Sequence, residues 1–388
     1  MKNTKSFLAV ITGLILFSCF INAGCNAQNE TSKPLKYVAP VDNRIASSTF
    51  PASQVKDDGA IAAKIKGLHI ATNWRKPLEA DALSNPDITS VTLYAWWMDM
   101  NPAKDKYDWS RLDGEMSRYM AAGKNIGIMM AAGARSPAWI YNEGVRHFTV
   151  VEFNHNGKGK KFENEQPVIY DKAYVDLFVT FIRAMAAHMK QQKYWSNVTH
   201  VSINGINRTT AELRLPAQVE MKKGDEQSTD AVALWKTNDY TPAKVIQAFK
   251  DITTVVAQSF PNRLLIVPVL GVQTRAFPGI GASENISIEC MKWLKQTYPA
   301  RAAAQFTALS SGYKPSGFIL DLMNIGIPVG YELQQIDMQN TTDEDNFKKA
   351  VQAGIDANAL YIEIYPENVS KFSGSVKKLS PVVLQKTK

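Results

Sequence analysis

The sequence predicts a (β/α)₈ barrel, because short apolar runs alternate with stretches of helical spacing along most of the chain. Such alternation favours a parallel sheet, and eight repeats favour its closure into a barrel. An open doubly wound sheet is the alternative, but the glycine-rich phosphate-binding turn typical of its nucleotide-binding members does not follow the first run. The predicted strands are 68–73, 90–96, 125–130, 198–203, 264–269, 303–306, 327–331 and 360–364.

Apolar residues recur at helical spacing between these runs, which predicts helices that pack one face on the barrel. The first helix is predicted to start near Ser110, and Asp171 precedes the second. Thr241 and Pro242 form an N-cap and first-turn proline for the third. The run at 303–306 is rich in alanine and also suits a helix. The apolar faces span 112–120, 174–185, 245–256 and 347–355.

The N-terminus has the pattern of an export signal. Lys2 and Lys5 precede an apolar run, Phe7–Phe17, that is too short to span a bilayer comfortably. Cys25 follows Ala-Gly and Cys19 follows Leu-Phe-Ser, and both sites resemble bacterial lipoprotein cleavage sites. We expect lipidation at Cys25, with Cys19 as the second candidate. Plain secretion, with cleavage after residue 23 or 27, is the alternative.

These features divide the chain into three parts and predict where it acts. We expect a signal peptide of lipoprotein type at 1–27, a tether and N-terminal segment at 28–55, and one barrel domain at 56–388. The protein is then exported, either to the cell envelope as an outer-membrane or periplasmic lipoprotein or into the medium. Its contact with a membrane is predicted to be through a lipid anchor only.

The composition argues against several classes of function. Beyond the signal, Cys290 is the one cysteine, so no disulfide framework is expected. The net charge of +8 comes from scattered basic residues without a nucleic-acid-binding motif, so no nucleic-acid partner is predicted. The five histidines do not occur at the spacing of a paired metal-ligand motif. The serines lack the glycine pattern of a nucleophile elbow. We therefore predict neither a metal nor a cofactor.

Aromatic and amide side chains gather where the predicted strands end, which is the active-site face of a closed parallel barrel. Flat indole rings pack on the C–H faces of sugars, and the indole N–H can donate a hydrogen bond. These residues predict a carbohydrate substrate. The predicted substrate-binding residues are Trp74, Tyr94, Trp96, Trp97, Trp139, Asn204, Asn207 and Tyr331.

Two carboxylates follow the fourth and seventh predicted strands and are the candidate catalytic pair. Glu212 and Glu332 are placed to face each other across the barrel mouth. Cleavage of a glycosidic bond needs one carboxylic acid to protonate the leaving oxygen, and a second carboxylate as nucleophile or as base for water. Other carboxylates that could substitute are Asp99, Glu152, Glu220 and Glu363.

The stretch around the second and third predicted strands resembles a known family. A Trp ends the segment Val91–Trp97, and an x-Pro turn follows at Asn101-Pro102. Tyr-Asp-Trp and Leu-Asp then come within Tyr107–Asp113, and residues 121–140 continue the pattern. It is similar to the retaining glycoside hydrolases of clan A, especially the β-galactosidase-like barrels of family 42. The resemblance implies a β-glycosidase acting on extracellular oligo- or polysaccharides, with Glu212 as acid/base and Glu332 as nucleophile.

One position departs from the pattern of that clan. An Asn usually precedes the acid/base and contacts the 2-hydroxyl of the sugar, whereas this chain has Ala211. Asn204 or Asn207 is the candidate for the missing contact. The departure also leaves an alternative function, a non-catalytic carbohydrate-binding surface lipoprotein on the same barrel.

Overall fold

The structure, a computed structural model, describes residues 64–73, 76–153, 161–216, 230–270, 276–278 and 282–386. Eight parallel strands close into a barrel in the order β1, β2, β3, β6, β7, β8, β9, β10, which confirms the predicted fold. The remaining two strands pair as an antiparallel hairpin. The strands are β1 Leu68–Asn73, β2 Ile88–Trp96, β3 Asn125–Ala131, β4 His147–Phe153, β5 Lys161–Pro167, β6 Val198–Ser202, β7 Leu264–Val269, β8 Ala302–Leu309, β9 Val329–Leu333 and β10 Ile362–Ile364.

Helices connect the strands and cover the barrel. The two longest, Lys172–Met189 and Pro242–Ser259, pack against each other. In the part of the chain that is described, no helix has the length and apolar character needed to cross a membrane. The other helices are Ala80–Ser84, Trp97–Met100, Ser110–Ala121, Trp139–Asn142, Ala231–Thr237, Ala282–Thr297, Gly317–Asn324, Gln335–Met338, Glu344–Asp356, Pro366–Lys371 and Ser373–Lys386, with 3₁₀ turns at Gly133–Arg135 and Lys193–Asn197.

Side-chain caps fix the starts of these helices much as the sequence predicts. Asp171 accepts a hydrogen bond from the backbone N–H of Ala173, and Thr241 accepts one from Lys244 at 3.3 Å. Each cap satisfies one of the backbone donors that a helix start leaves unpaired. The first predicted start differs slightly, since Ser110 is already helical and its hydroxyl donates to Asp108 instead.

Two strand glycines make room for aromatic rings inside the barrel. A Cβ at Gly127 would lie 1.9 Å from His200 Nε2, and one at Gly330 would lie 2.3 Å from the ring of Tyr361. Tyr361 stacks on His69 with ring centroids 4.4 Å apart. All three rings are buried. They fill the barrel interior on the N-terminal side of the residues that form the mouth, and the polar groups of the mouth pack against these buried rings.

Several sequence predictions fall outside the described residues. The signal peptide and both candidate lipidation sites, Cys25 and Cys19, are among them, and so is Trp74. The domain boundaries at residues 27 and 55 therefore stay predictions. Cys290 is described and lies buried in the helix Ala282–Thr297, where burial raises the pKa of its thiol.

Candidate active site

Glu332 lies on β9 at the barrel mouth and accepts three hydrogen bonds. The Tyr365 hydroxyl donates to Oε1 at 2.8 Å. The Tyr94 hydroxyl and the Gln305 amide donate to Oε2 at 3.2 and 3.1 Å. Only 7% of the residue is exposed. Three donors converging on one buried carboxylate hold it in a single orientation and stabilise its ionised form.

A second buried carboxyl, Glu363, lies next to it. Glu332 and Glu363 are directly paired in the register of β9 and β10. The same Gln305 amide nitrogen donates to Glu363 Oε2 at 2.8 Å, and the Thr92 hydroxyl makes a very close contact with Oε1. Glu363 has no exposed surface. Two carboxyl groups therefore share one amide donor inside the barrel.

Burial and mutual repulsion dominate the electrostatics of these two groups. Burial raises the pKa of Glu332, the charge on Glu363 raises it further, and hydrogen bonds from Tyr365 and Gln305 oppose the rise. Burial likewise raises the pKa of Glu363 against hydrogen bonds from Thr92 and Gln305. Two adjacent buried negative charges repel strongly. The pair therefore favours keeping one proton near neutral pH.

Glu212 lies in the loop that follows β6 and acts on the same site. Its Oε1 accepts a hydrogen bond from Thr307 at 3.3 Å, and Arg214 Nε lies 3.7 Å from Oε2. The charge on Glu212 raises the pKa of Glu332, and also those of Tyr94 and Tyr365. The two predicted catalytic carboxylates are therefore within electrostatic range of each other.

Asn204 and Asn207 shape the loop that carries Glu212. Asn204 Nδ2 donates to the Ala211 carbonyl at 2.7 Å, while Oδ1 accepts from the Met130 N–H at 3.1 Å. Asn207 Nδ2 donates to the carbonyls of Ala132 and Thr210 at 3.1 and 2.9 Å. Both amides are buried. This corrects the expectation that one of them contacts a sugar hydroxyl, because their hydrogen-bonding groups are engaged with the backbone.

The same loop is held against two neighbouring segments. The Leu213 N–H donates to the carbonyl of Pro268 in β7 at 2.8 Å, so the loop is hydrogen-bonded to that strand. Gly133 has φ +53°, and a Cβ there would lie 1.9 Å from the Asn207 carbonyl oxygen. Only glycine permits this close approach of the two loops. Glu212 is thus attached to a rigid segment in spite of its longer connection to β6.

The structure sorts the predicted aromatic contacts into two groups. Tyr94 is at the site, since its hydroxyl contacts Glu332. Trp96 is half-buried beside the mouth, with the Arg135 guanidinium 4.1 Å from its ring centre. One face of Trp96 is therefore covered by a cation, and the other remains the candidate face for a sugar.

The predictions for Trp97 and Tyr331 need correction, and the one for Trp139 is narrowed to its ring. Trp97 has no exposed surface and packs against Phe178 in the helical layer. Trp139 uses its indole N–H to donate to the Asn101 carbonyl at 2.8 Å. Tyr331 is fully buried, because strand alternation turns it away from the face that carries Glu332. Neither Trp97 nor Tyr331 has an exposed ring face, whereas Trp139 is half-buried and only its ring stays a candidate contact for a sugar.

Sequence reasoning missed three groups that contact the carboxylates, namely Thr92, Gln305 and Thr307. It placed Tyr365 at the end of the eighth strand but did not assign it a role. Gln305 and Thr307 are two residues apart in β8, so they share a face. Polar residues at alternate positions of an otherwise apolar strand were the available signal. Of the other candidate carboxylates, Glu220 and the side chain of Glu152 are outside the described residues.

One cluster in the described part of the chain has the residue types of a metal site. Ligand-type atoms of His69, His200 and Glu363 lie within 4.8 Å of one another. The two imidazole rings stack at 5.7 Å and 26°, so their lone pairs do not converge on a point between them. Both oxygens of Glu363 already accept hydrogen bonds. The residues do not fit a metal centre, and we interpret them as a hydrogen-bonded support.

One family model matches part of the chain. A family model described as β-galactosidase, of glycoside hydrolase family 42, matches residues 71–204. That stretch ends before both Glu212 and Glu332. No curated protein matches the chain.

Solved structures give similarity at low sequence identity. Xylanase 10B from Thermotoga maritima is 13% identical with a TM-score of 0.47, over 80% of this chain and 85% of the xylanase. A β-galactosidase from the psychrophilic Marinomonas ef1 is 10% identical with a TM-score of 0.49, over 76% of this chain and 53% of that enzyme.

The closed parallel barrel is the TIM-barrel fold, and together with the family-model match over residues 71–204 it supports a glycoside hydrolase of the clan A type. More particularly, the chain is a glycosidase, and its similarity to the β-galactosidase family covers β1 to the end of β6.

Proposed function

We propose that this glycosidase cleaves β-glycosidic bonds of extracellular oligo- or polysaccharides with retention of configuration. The observation that carries the proposal is the carboxylate Glu332 at the end of β9, oriented by Tyr94, Gln305 and Tyr365. Glu212 supplies the second carboxylate that the reaction needs.

In the first step Glu332 acts as nucleophile and Glu212 as acid. A Glu332 oxygen forms a bond to the anomeric carbon while the bond to the leaving oxygen breaks, and Glu212 transfers its proton to that oxygen. Arg214 faces the oxygen Oε2 of Glu212, where it stabilises the negative charge that this transfer leaves.

In the second step Glu212 acts as base. It takes a proton from a water molecule whose oxygen attacks the anomeric carbon, and the ester bond to Glu332 breaks. Two displacements at the same carbon restore the original configuration. We expect the carboxyl groups of Glu212 and Glu332 to lie about 5–5.5 Å apart, whereas about 6.5–9.5 Å would leave room for a water and favour inversion.

A panel of aryl β-glycosides and polysaccharides, followed by NMR of the first-formed anomer, tests this proposal. Glu332→Gln should abolish turnover, since an amide cannot form the glycosyl-enzyme. Glu212→Gln should slow substrates with poor leaving groups most, because activated aryl groups depart without protonation. Azide should partly rescue Glu212→Ala and give a glycosyl azide of retained configuration.

A matched control is Glu115→Gln. Glu115 is also buried, but it pairs with Arg118 on the helix Ser110–Ala121, away from the mouth. That variant should keep near-normal turnover. An inverted product, or near-normal activity of Glu332→Gln and Glu212→Gln on an unactivated glycan, would contradict the assignment.

We also propose that the chain is exported and lipidated at Cys25, supported by the basic and apolar pattern before it. Mass spectrometry of the mature N-terminus from a membrane fraction tests this. A diacylglycerol-modified Cys25 is expected, with Cys19 as the second site. A free N-terminus at Gly24 or Gln28 would show plain secretion instead.

A further inference from the structure

The Gln305 amide joins Glu332 to Glu363 through its two hydrogens. Its Nε2 atom donates to Glu332 Oε2 at 3.1 Å and to Glu363 Oε2 at 2.8 Å. The Tyr361 hydroxyl donates to Gln305 Oε1 at 2.7 Å, which fixes the orientation of the amide. Gln305 is thus a donor to both carboxyls and an acceptor from neither. Any proton kept by the pair must be on one carboxyl or the other.

On the Glu363 side, a chain of hydroxyl and imidazole groups can accept a hydrogen bond from the protonated carboxyl of Glu363. Thr92 Oγ1 contacts Glu363 Oε1 and lies 3.3 Å from His200 Nε2. His200 Nδ1 lies 3.1 Å from the Thr199 hydroxyl, which itself donates to the Ile126 carbonyl at 3.3 Å. Burial lowers the pKa of His200 to about 3, so the ring is neutral and has one donor and one acceptor.

A protonated Glu363 lets all the hydrogen bonds of this chain form at once, including the one from Thr199 to the Ile126 carbonyl. Its O–H then donates to Thr92, Thr92 donates to His200 Nε2, and His200 Nδ1–H donates to Thr199, which is free to donate to Ile126. If Glu363 is ionised, Thr92 must donate to it and the imidazole turns to its other tautomer. Thr199 must then donate to His200, and the Ile126 carbonyl loses its hydroxyl donor.

On the Glu332 side, the donors favour the negative charge. Glu332 accepts three hydrogen bonds, from Tyr94, Gln305 and Tyr365, whereas Glu363 accepts two. Hydrogen bonds to the charged form stabilise it. The difference in the number of donors favours the anion on Glu332 and the proton on Glu363.

We propose that Glu363 is a positioning residue that holds the one proton of the carboxyl pair, so that Glu332 stays ionised and ready to attack. The proposal rests on the proposed role of Glu332 as nucleophile. The chemistry is balanced, because no proton leaves the pair when Glu332 bonds to the anomeric carbon. Glu363 supplies neither a bond nor a proton to the substrate.

The tyrosines and histidines around the pair are neutral near pH 7, and Glu212 is a further titratable group there. Burial raises the pKa of each tyrosine above its ordinary value and lowers that of each histidine. None of them competes for the proton. By element they are His69 on β1, Tyr94 on β2, His200 on β6, Glu212 in the loop after β6, and Tyr361 and Tyr365 at the two ends of β10.

Infrared spectroscopy of the complete protein at pH 7 tests the proposal without using activity. The wild-type protein should show the carbonyl band of a buried protonated carboxyl. The band should disappear in Glu363→Gln and persist in the control Glu115→Gln. A band that persists in Glu363→Gln would place the proton on Glu332, and no such band in the wild type would show both groups ionised. Either result overturns the proposal.

Neutron diffraction of the wild-type protein in D₂O covers the case in which Glu363→Gln does not fold. Deuterium is expected on Glu363 Oε1, directed at Thr92, and none on Glu332. Deuterium on Glu332 overturns the proposal. If Glu332→Gln keeps turnover while the infrared and neutron results are as expected, the assignment of the nucleophile fails and the proton assignment stands.

Discussion

Asn204 donates a side-chain hydrogen bond to the carbonyl of Ala211 at 2.7 Å, so the residue before Glu212 is tied to the end of β6. The position that resembles the Asn of clan A carries Ala211 instead. In this chain the amide has a supporting role, holding the Glu212 loop in place.

Asn204→Ala should reduce turnover more than it reduces substrate binding. Loss of the bond loosens the Glu212 loop, and small misplacements of a catalytic group cost on the order of tenfold to hundredfold in rate. Stability should fall by about 1 kcal/mol, because the buried Met130 N–H loses one of its two side-chain acceptors and keeps the Ser202 hydroxyl. The control Asn238→Ala removes a hydrogen bond to Leu234 instead and should leave kcat unchanged. Equal loss of kcat in both variants would refute the anchoring role.

Gly133→Ala should destabilise the protein far more than Gly144→Ala. Both glycines have positive φ, +53° and +85°, but only at Gly133 would the new methyl group collide with backbone. Left-handed strain alone costs about 1–3 kcal/mol, and overpacking adds about 1–3 kcal/mol at Gly133. Urea denaturation of the two variants measures the difference. Equal free energies of unfolding would show that the loops of Gly133 and Asn207 can move apart at no cost in stability.

Two neighbouring tryptophans should respond to substitution in opposite ways. Trp97→Ala empties a buried site and should cost about 3–5 kcal/mol of stability. Trp96→Ala should leave stability closer to normal and raise KM about 3- to 10-fold, since a ring face for the sugar is lost. Thermal unfolding and steady-state kinetics on the same glycoside separate the two effects. A normal KM in Trp96→Ala would remove Trp96 from the substrate site.

Protein stability should fall as the pH rises from the ordinary carboxyl range towards about 8. Burial raises the pKa of Glu332 and Glu363 in the folded protein, so it keeps a proton that the unfolded chain has released. The stabilisation that these two carboxyls give is complete at a pH below the carboxyl pKa of the unfolded chain. It is lost as the pH passes the raised pKa of the folded protein, with a slope of up to about 1.4 kcal/mol per pH unit per proton. Glu363→Gln should flatten this slope, as urea denaturation across the pH range would show. An unchanged slope would exclude Glu363 as a source.

The barrel was predictable from the sequence because each of its strands is a short buried run between turn or helix signals. The hairpin of β4 and β5 was not predicted, since β5, Lys161–Pro167, is mostly polar. Glu212 and Glu332 followed from the rule that polar groups after barrel strands reach the mouth. Tyr331 and Trp97 were wrongly assigned there, although strand alternation at Tyr331 was readable. Gln305 belongs to no motif, and its role depends on partners from β9 and β10.

The most direct test of the account is to trap the covalent intermediate. A 2-deoxy-2-fluoro glycoside with an activated leaving group, of the sugar that the substrate panel selects, slows both steps and lets the glycosyl-enzyme accumulate. Peptide mapping by mass spectrometry should find one sugar per chain, attached to Glu332. A label on Glu363 or Glu212, or steady turnover without any label and with inverted product, would contradict the assignment of Glu332 as nucleophile.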